Sequence, residues 1–109
     1  MRNQPYDVVG VTFEGRQEIL DKFFKNTYKI GGSYAVRLVR EPDNKYDKNA
    51  VAVYLDLGGS DFKQVGYISK QENQKLIADF GKMKTASVAS MGPNSFGDIG
   101  LTIKVEFDD

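Results

Sequence analysis

The chain contains no cysteine and no histidine. Without cysteine there is no disulfide framework and no thiolate nucleophile, although that absence alone does not fix the compartment. Without histidine the commonest general base and the commonest zinc ligand are missing. Serine or cysteine triads and zinc hydrolase sites are thereby excluded in their usual forms, and an enzyme built on this sequence would have to rely on carboxylates, lysine or tyrosine. Long apolar runs are absent too: none approaches the ~20 residues of a membrane-spanning helix. The opening Met1-Arg2-Asn3-Gln4-Pro5 lacks the apolar core of a signal peptide. These absences lead us to expect an intracellular, cytoplasmic protein with no membrane partner. Net charge is the last thing missing. Fifteen basic residues balance fifteen acidic ones and the pI is about 6.3, whereas a protein that grips many phosphates carries a basic excess. A nucleic-acid partner would therefore be held at few phosphates, by stacking and hydrogen bonds.

What is present is an ordinary globular composition, 40% hydrophobic and 28% charged over 109 residues, enough for one core and one domain spanning residues 1–109. The residues from Tyr6 to Phe13 alternate loosely and are valine-rich, which predicts a first strand broken at Gly15. Ile19, Leu20, Phe23 and Phe24 recur at helical spacing between Arg16 and Lys25. After a connector ending in Gly31-Gly32, Ser33 to Arg40 alternates as a half-buried strand, and Pro42 ends its ladder. Further strands are expected over Ala50 to Leu55 and Gln64 to Ile68, on either side of a Gly58-Gly59-Ser60 hairpin loop. Ser69 and Glu72 have the spacing of a capping box for a second helix whose buried face is Leu76, Ile77 and Phe80, with Gly81 as its stop. Strands near Thr85 to Ser90 and Ile99 to Phe107 close the chain, separated by a loop that carries Phe96 among glycine, proline and asparagine. About six strands and two short helices make the class α+β or a small β-barrel, and periodicity does not choose between them.

One segment is unusually dense in specialised side chains: Arg40-Glu41-Pro42-Asp43-Asn44-Lys45-Tyr46-Asp47-Lys48-Asn49-Ala50, running straight into an alternating strand. Tyr46 offers a flat face on which a base can stack, worth ~1–3 kcal/mol in single-strand binders. Asp47, when ionised, only accepts hydrogen bonds. It repels a phosphate but can accept from a sugar hydroxyl, the group presented by a free 3′ end. The competing reading of the same residues is purely local, with Asp47 and Asn49 capping a turn and Tyr46 lying flat on the core.

Together with Val9-Gly10-Val11-Thr12-Phe13 upstream and Val65-Gly66-Tyr67-Ile68 downstream, this segment resembles the HIRAN domain family, most closely between Tyr6 and Phe80. The family's modules occur beside helicases, nucleases and ubiquitin ligases, and alone in bacteria and phages. The resemblance implies an OB-like barrel and capture of single-stranded DNA ends bearing a 3′-hydroxyl, in DNA repair or replication-fork processing. It implies binding rather than catalysis, no cofactor, and a helicase or nuclease as a further protein partner. Residue by residue, it carries over DNA contact to Phe13, Tyr46 and Asp47, a base-stacking role to Tyr67 where a histidine is otherwise found, a phosphate-facing role to Lys70, and a loop-aromatic role to Phe96. One departure is plain: an arginine otherwise precedes the first aromatic, and here Thr12 supplies no charge. Arg16 reaches toward the same space from the following helix and is the expected replacement. The domain is expected to act as a monomer.

Two other functions fit the residues. A protein-interaction module would use the same groove or a free sheet edge, and suits the neutral charge and surface aromatics. A metal-dependent nuclease would draw on Glu41, Asp43 and Asp47. The nuclease is the weaker of the two, because those carboxylates sit in a turn that uses such residues anyway, with lysines interleaved.

Overall fold

The computed structural model describes residues 2–109. Six strands and two helices follow in the order β1 (Arg2–Val9), α1 (Arg16–Asn26), β2 (Val36–Arg40), β3 (Val51–Asp56), β4 (Phe62–Ile68), α2 (Asn73–Ala78), a 3₁₀ turn (Phe80–Lys82), β5 (Met83–Pro93) and β6 (Ile99–Phe107). All pairings are antiparallel and the strand order is β2-β3-β4-β1-β6-β5. The two edges then meet. Ala35 bridges Ser87, and the Val88 N–H donates to the Tyr34 carbonyl at 2.9 Å. The sheet is thus rolled into an OB-like barrel, the outcome expected of a six-stranded sheet that avoids open edges.

Strand β1 joins the two halves. Arg2 to Asp7 pair with β6, and Val8 and Val9 cross over to pair with Ile68 and Tyr67 of β4. At that crossing Gly66 is obligatory for packing, since a Cβ there would collide with the Val9 carbonyl oxygen and with Val8 Cγ1. The interior is filled by alternate residues of the strands, including Val53, Leu55, Val65, Ile103, Val105 and Phe107, and is plugged by Leu20 and Phe23 of α1.

Several local expectations are corrected. β1 ends at Val9 rather than Phe13, because Gly10 (φ 71°), Glu14 (φ 53°) and Gly15 (φ 76°) turn the chain back before α1. β2 begins at Val36, since Tyr34 is drawn aside: its hydroxyl accepts from the Lys29 N–H and donates to the Thr27 carbonyl. The capping box does not form. Glu72 Oε1 accepts from the Asp7 N–H on β1, and the Ser69 hydroxyl bonds the Gln71 side chain. α2 therefore starts only at Asn73 and stops at Ala78, leaving Gly81 inside the 3₁₀ turn. β5 runs on to Pro93, which shortens the Phe96 loop to residues 94–98.

Candidate nucleic-acid interface

The loop between β2 and β3 is closed at its base by the Glu41 N–H donating to the Ala50 carbonyl at 2.9 Å. Its shape comes from Asn44, whose Oδ1 accepts from the backbone N–H groups of both Tyr46 (2.9 Å) and Asp47 (3.0 Å). This is the side-chain mimicry of a turn for which asparagine is favoured. With its backbone pinned from below, Tyr46 projects outward and is 90% exposed; it does not lie on the core.

Asp47 points the other way. Its Oδ1 accepts from the Asn49 N–H and its Oδ2 from the Asn73 amide of α2, each at 2.9 Å. These two bonds, the Asn49 contact foremost, and the positive charge of Lys70 hold the carboxyl below the usual aspartate range against a smaller opposing effect of burial. A carboxylate has about four lone-pair directions, so two are left after these anchors.

Facing this loop is the turn between β1 and α1. Phe13 stands 64% exposed on it. Arg16, the first residue of α1, is buried: Nη1 donates to the Gly10 carbonyl at 2.7 Å, and the guanidinium carbon lies 5.5 Å from the centre of the Tyr67 ring. Tyr67 is half-buried between the two walls, with its hydroxyl donating to Glu41 Oε1 at 2.9 Å.

These groups line one open cleft of about 660 Å³, in which Phe13, Arg16, Tyr46, Asp47, Tyr67 and Lys70 all take part. Residues separated by up to 57 positions in the chain (Phe13 to Lys70) are gathered there because β1 crosses β4 beside the β2–β3 loop. Phe96 is not among the lining residues; it is 87% exposed at the tip of the β5–β6 hairpin. Lys70 lies exposed in the turn before α2, which begins only at Asn73.

One contributor has no signal in the sequence: Asn73, on α2, is only 2% exposed. Asn44 is a strong turn former by residue type, its side chain suited to bond nearby backbone amides, and the structure shows that bond to Tyr46 and Asp47. A second hollow of about 490 Å³, between α1 and the β3–β4 hairpin, contains none of these groups and is lined by Glu18, Lys22, Asp61 and Lys63 in balanced charge. Among the described residues no three carboxylates are grouped as a metal centre would need. Glu41 is engaged by Tyr67 and Asn44, and Asp47 by Asn49 and Asn73.

Comparison with known proteins bears on the fold and the family. No curated protein matches the chain. Among solved structures, the crystal structure of the HIRAN domain of human HLTF is similar with a TM-score of 0.56 and 24% identity, covering 94% of this chain and 74% of that one. At that identity the likeness speaks for the fold alone. The model of the HIRAN domain family matches residues 2–95, which include the whole cleft, and the chain belongs to that family.

Proposed function

We propose that the cleft binds the end of a single-stranded DNA bearing a free 3′-hydroxyl, as a non-catalytic module. The observation that carries this reading is the juxtaposition of the Asp47 carboxylate with the exposed rings of Tyr46 and Phe13 in one cleft that also holds Lys70 and Arg16. Asp47 accepts a hydrogen bond from the terminal hydroxyl. The last base stacks on an aromatic wall, at ~1–3 kcal/mol per base. Lys70, with Arg16 behind it, meets the nearest phosphate. A strand interior offers no hydroxyl to Asp47, and a 3′-phosphate is repelled by it, so the same group supplies both the attraction and the discrimination.

Zero net charge sets the character of the binding. Few phosphates are contacted, so affinity is modest and falls with a shallow salt slope. That suits a module delivering a helicase or nuclease to DNA ends in repair or replication-fork processing, inside the cell. The balanced charge and exposed aromatics also favour one second reading, a protein-interaction module using the same cleft.

Fluorescence anisotropy with short oligo-dT ending in a 3′-hydroxyl or a 3′-phosphate separates the two. Preference for the hydroxyl, abolished in Asp47→Ala and in Asp47→Asn, supports end recognition. Equal binding to both ends, or none, sinks it and leaves the protein partner.

A further inference from the structure

We infer that Asn73 is a positioning residue, whose amide fixes the Asp47 carboxylate in the orientation that separates a free terminal hydroxyl from a phosphorylated end. Resting on the end-binding role proposed for the cleft, this assigns its selectivity to a side chain on α2, an element outside the loop that carries Asp47.

Asn73 is among the most buried side chains of the protein, at 2% exposed. A buried amide is costly without partners, whereas a leucine, with the same number of side-chain heavy atoms, needs none. The amide instead donates from Nδ2 to Asp47 Oδ2 at 2.9 Å, across 26 residues of sequence. Asp47 Oδ1 is meanwhile held by the Asn49 N–H from its own loop. Two anchors from different elements fix the plane of the carboxylate; with Asn49 alone it swings about Cβ–Cγ. The fixed plane directs the remaining lone pairs, and only a directed acceptor distinguishes a hydroxyl from a neighbouring water. The charged groups around Asp47 are Lys70, from the turn that precedes α2, and Arg16 and Glu14, from the opposite wall of the cleft. Glu41 is occupied by Tyr67 and Asn44. Asn73 is thus the neutral donor that α2 offers to Asp47.

Two variants test this, each with two readouts: the titration of the Asp47 carboxyl in the free protein by NMR, and the ratio of affinities for 3′-hydroxyl and 3′-phosphate oligo-dT. Asn73→Leu keeps the branched heavy-atom skeleton and removes the donor. It raises the Asp47 titration midpoint and reduces the affinity ratio roughly tenfold, the scale of one charge-assisted hydrogen bond.

Asn73→Asp places a second carboxyl at hydrogen-bond distance. In acid the pair shares one proton, and the introduced group donates to Asp47 as the amide did. As pH rises through the raised midpoint both ionise and repel. Compared with wild type at the same pH, which cancels the second ionisation of the 3′-phosphate near about pH 6, the affinity ratio is therefore preserved in acid and lost on raising pH.

A purely structural Asn73 gives a different pattern, in which the ratio falls equally at every pH or does not change, with Asp47 of Asn73→Leu titrating as in wild type. That result overturns the inference. Should wild type itself show no preference between the ends, the end-binding role fails, and the Asp47 titration decides alone. A raised midpoint in Asn73→Leu upholds Asn73 as the group that positions Asp47, and an unchanged one there removes it; in Asn73→Asp the added charge raises the midpoint in either case.

Discussion

The Tyr67 hydroxyl and the Asn44 amide donate to the same oxygen, Glu41 Oε1, at 2.9 and 3.0 Å. Tyr67 is therefore more than a flat ring at the base of the cleft. It braces Glu41, Glu41 holds Asn44, and Asn44 holds the backbone of Tyr46 and Asp47. Tyr67→Phe keeps the ring and its contact with Arg16 but removes the first link. The expected result is a loss of about 1 kcal/mol in stability, the worth of one hydrogen bond, with faster amide exchange at Tyr46 and Asp47. Thermal unfolding and hydrogen exchange measure both, and an unchanged exchange rate at those two amides would show that Asn44 alone suffices.

Gly66 offers a sharper packing test. A methyl group there meets the Val9 carbonyl and lies 2.7 Å from Val8 Cγ1, where β1 leaves β6 for β4. Backbone cannot move aside there without parting the strands, and overpacking of this kind costs ~1–3 kcal/mol. Gly66→Ala is expected at the upper end of that range. Gly92→Ala is the control: a Cβ there has open space, and its effect stays within about 0.5 kcal/mol. Denaturant midpoints for the pair measure the difference, and equal midpoints would refute the close crossing.

How far the fold was legible follows from which forces are local. Ile99 to Phe107 alternates between core and surface and was placed correctly to the residue, because burial on one face dictates its period. The end of β1 was misplaced because three consecutive-looking strand residues, Val11 to Phe13, sit between positions held at positive φ, which hydrophobic pattern does not encode. The capping box at Ser69 and Glu72 failed for a non-local reason: Glu72 is claimed by an N–H 65 residues away. The same holds for the site. Tyr46, Asp47 and Lys70 advertise themselves by chemistry, and the fold brings them to one cleft. Asn73 works through burial against a distant loop, and no spacing rule announces that. Thr12 remained a gap in the sequence, while the burial of Arg16 against Gly10 and Tyr67 places a cation beside Phe13 by another route.

Gln17 ties that turn to the far hairpin. Its Nε2 donates to the carbonyls of Val11 (3.1 Å) and Ile99 (2.9 Å), and its Oε1 accepts from the Ile99 N–H at 2.7 Å. Gln17→Ala leaves a partly buried backbone N–H and two carbonyls without this partner, so the expected cost is about 2 kcal/mol. Gln17→Glu keeps the acceptor and loses the donors, and should cost less at the Ile99 N–H while setting a charge against two carbonyls. Exchange of the Ile99 amide discriminates the variants: fast in Gln17→Ala, protected in Gln17→Glu. Equal protection in both would mean that Ile99 has another partner.

The pH dependence of the site follows from Asp47 and from the missing histidine. Its carboxyl is held below the ordinary aspartate value by Asn49, Asn73 and Lys70. A group whose folded pKa is depressed contributes stability above its unfolded value, and that contribution is lost as pH falls through the folded value. For Asp47 that window lies below about pH 4. With no histidine in the chain, the side chain that ordinarily titrates between about pH 5 and about pH 7 is missing. Binding of 3′-hydroxyl oligo-dT, whose base takes up no proton in mild acid, is therefore flat across that range and declines only as Asp47 itself is protonated. Asp47→Asn, which keeps an acceptor for the Asn49 N–H but carries no charge, binds more weakly at about pH 7 and loses the acid decline. Anisotropy at constant ionic strength follows both proteins. A midpoint between about pH 5 and about pH 7 in wild type would mean that a group other than Asp47 governs binding, and a decline that persists in Asp47→Asn would remove Asp47 from the terminus.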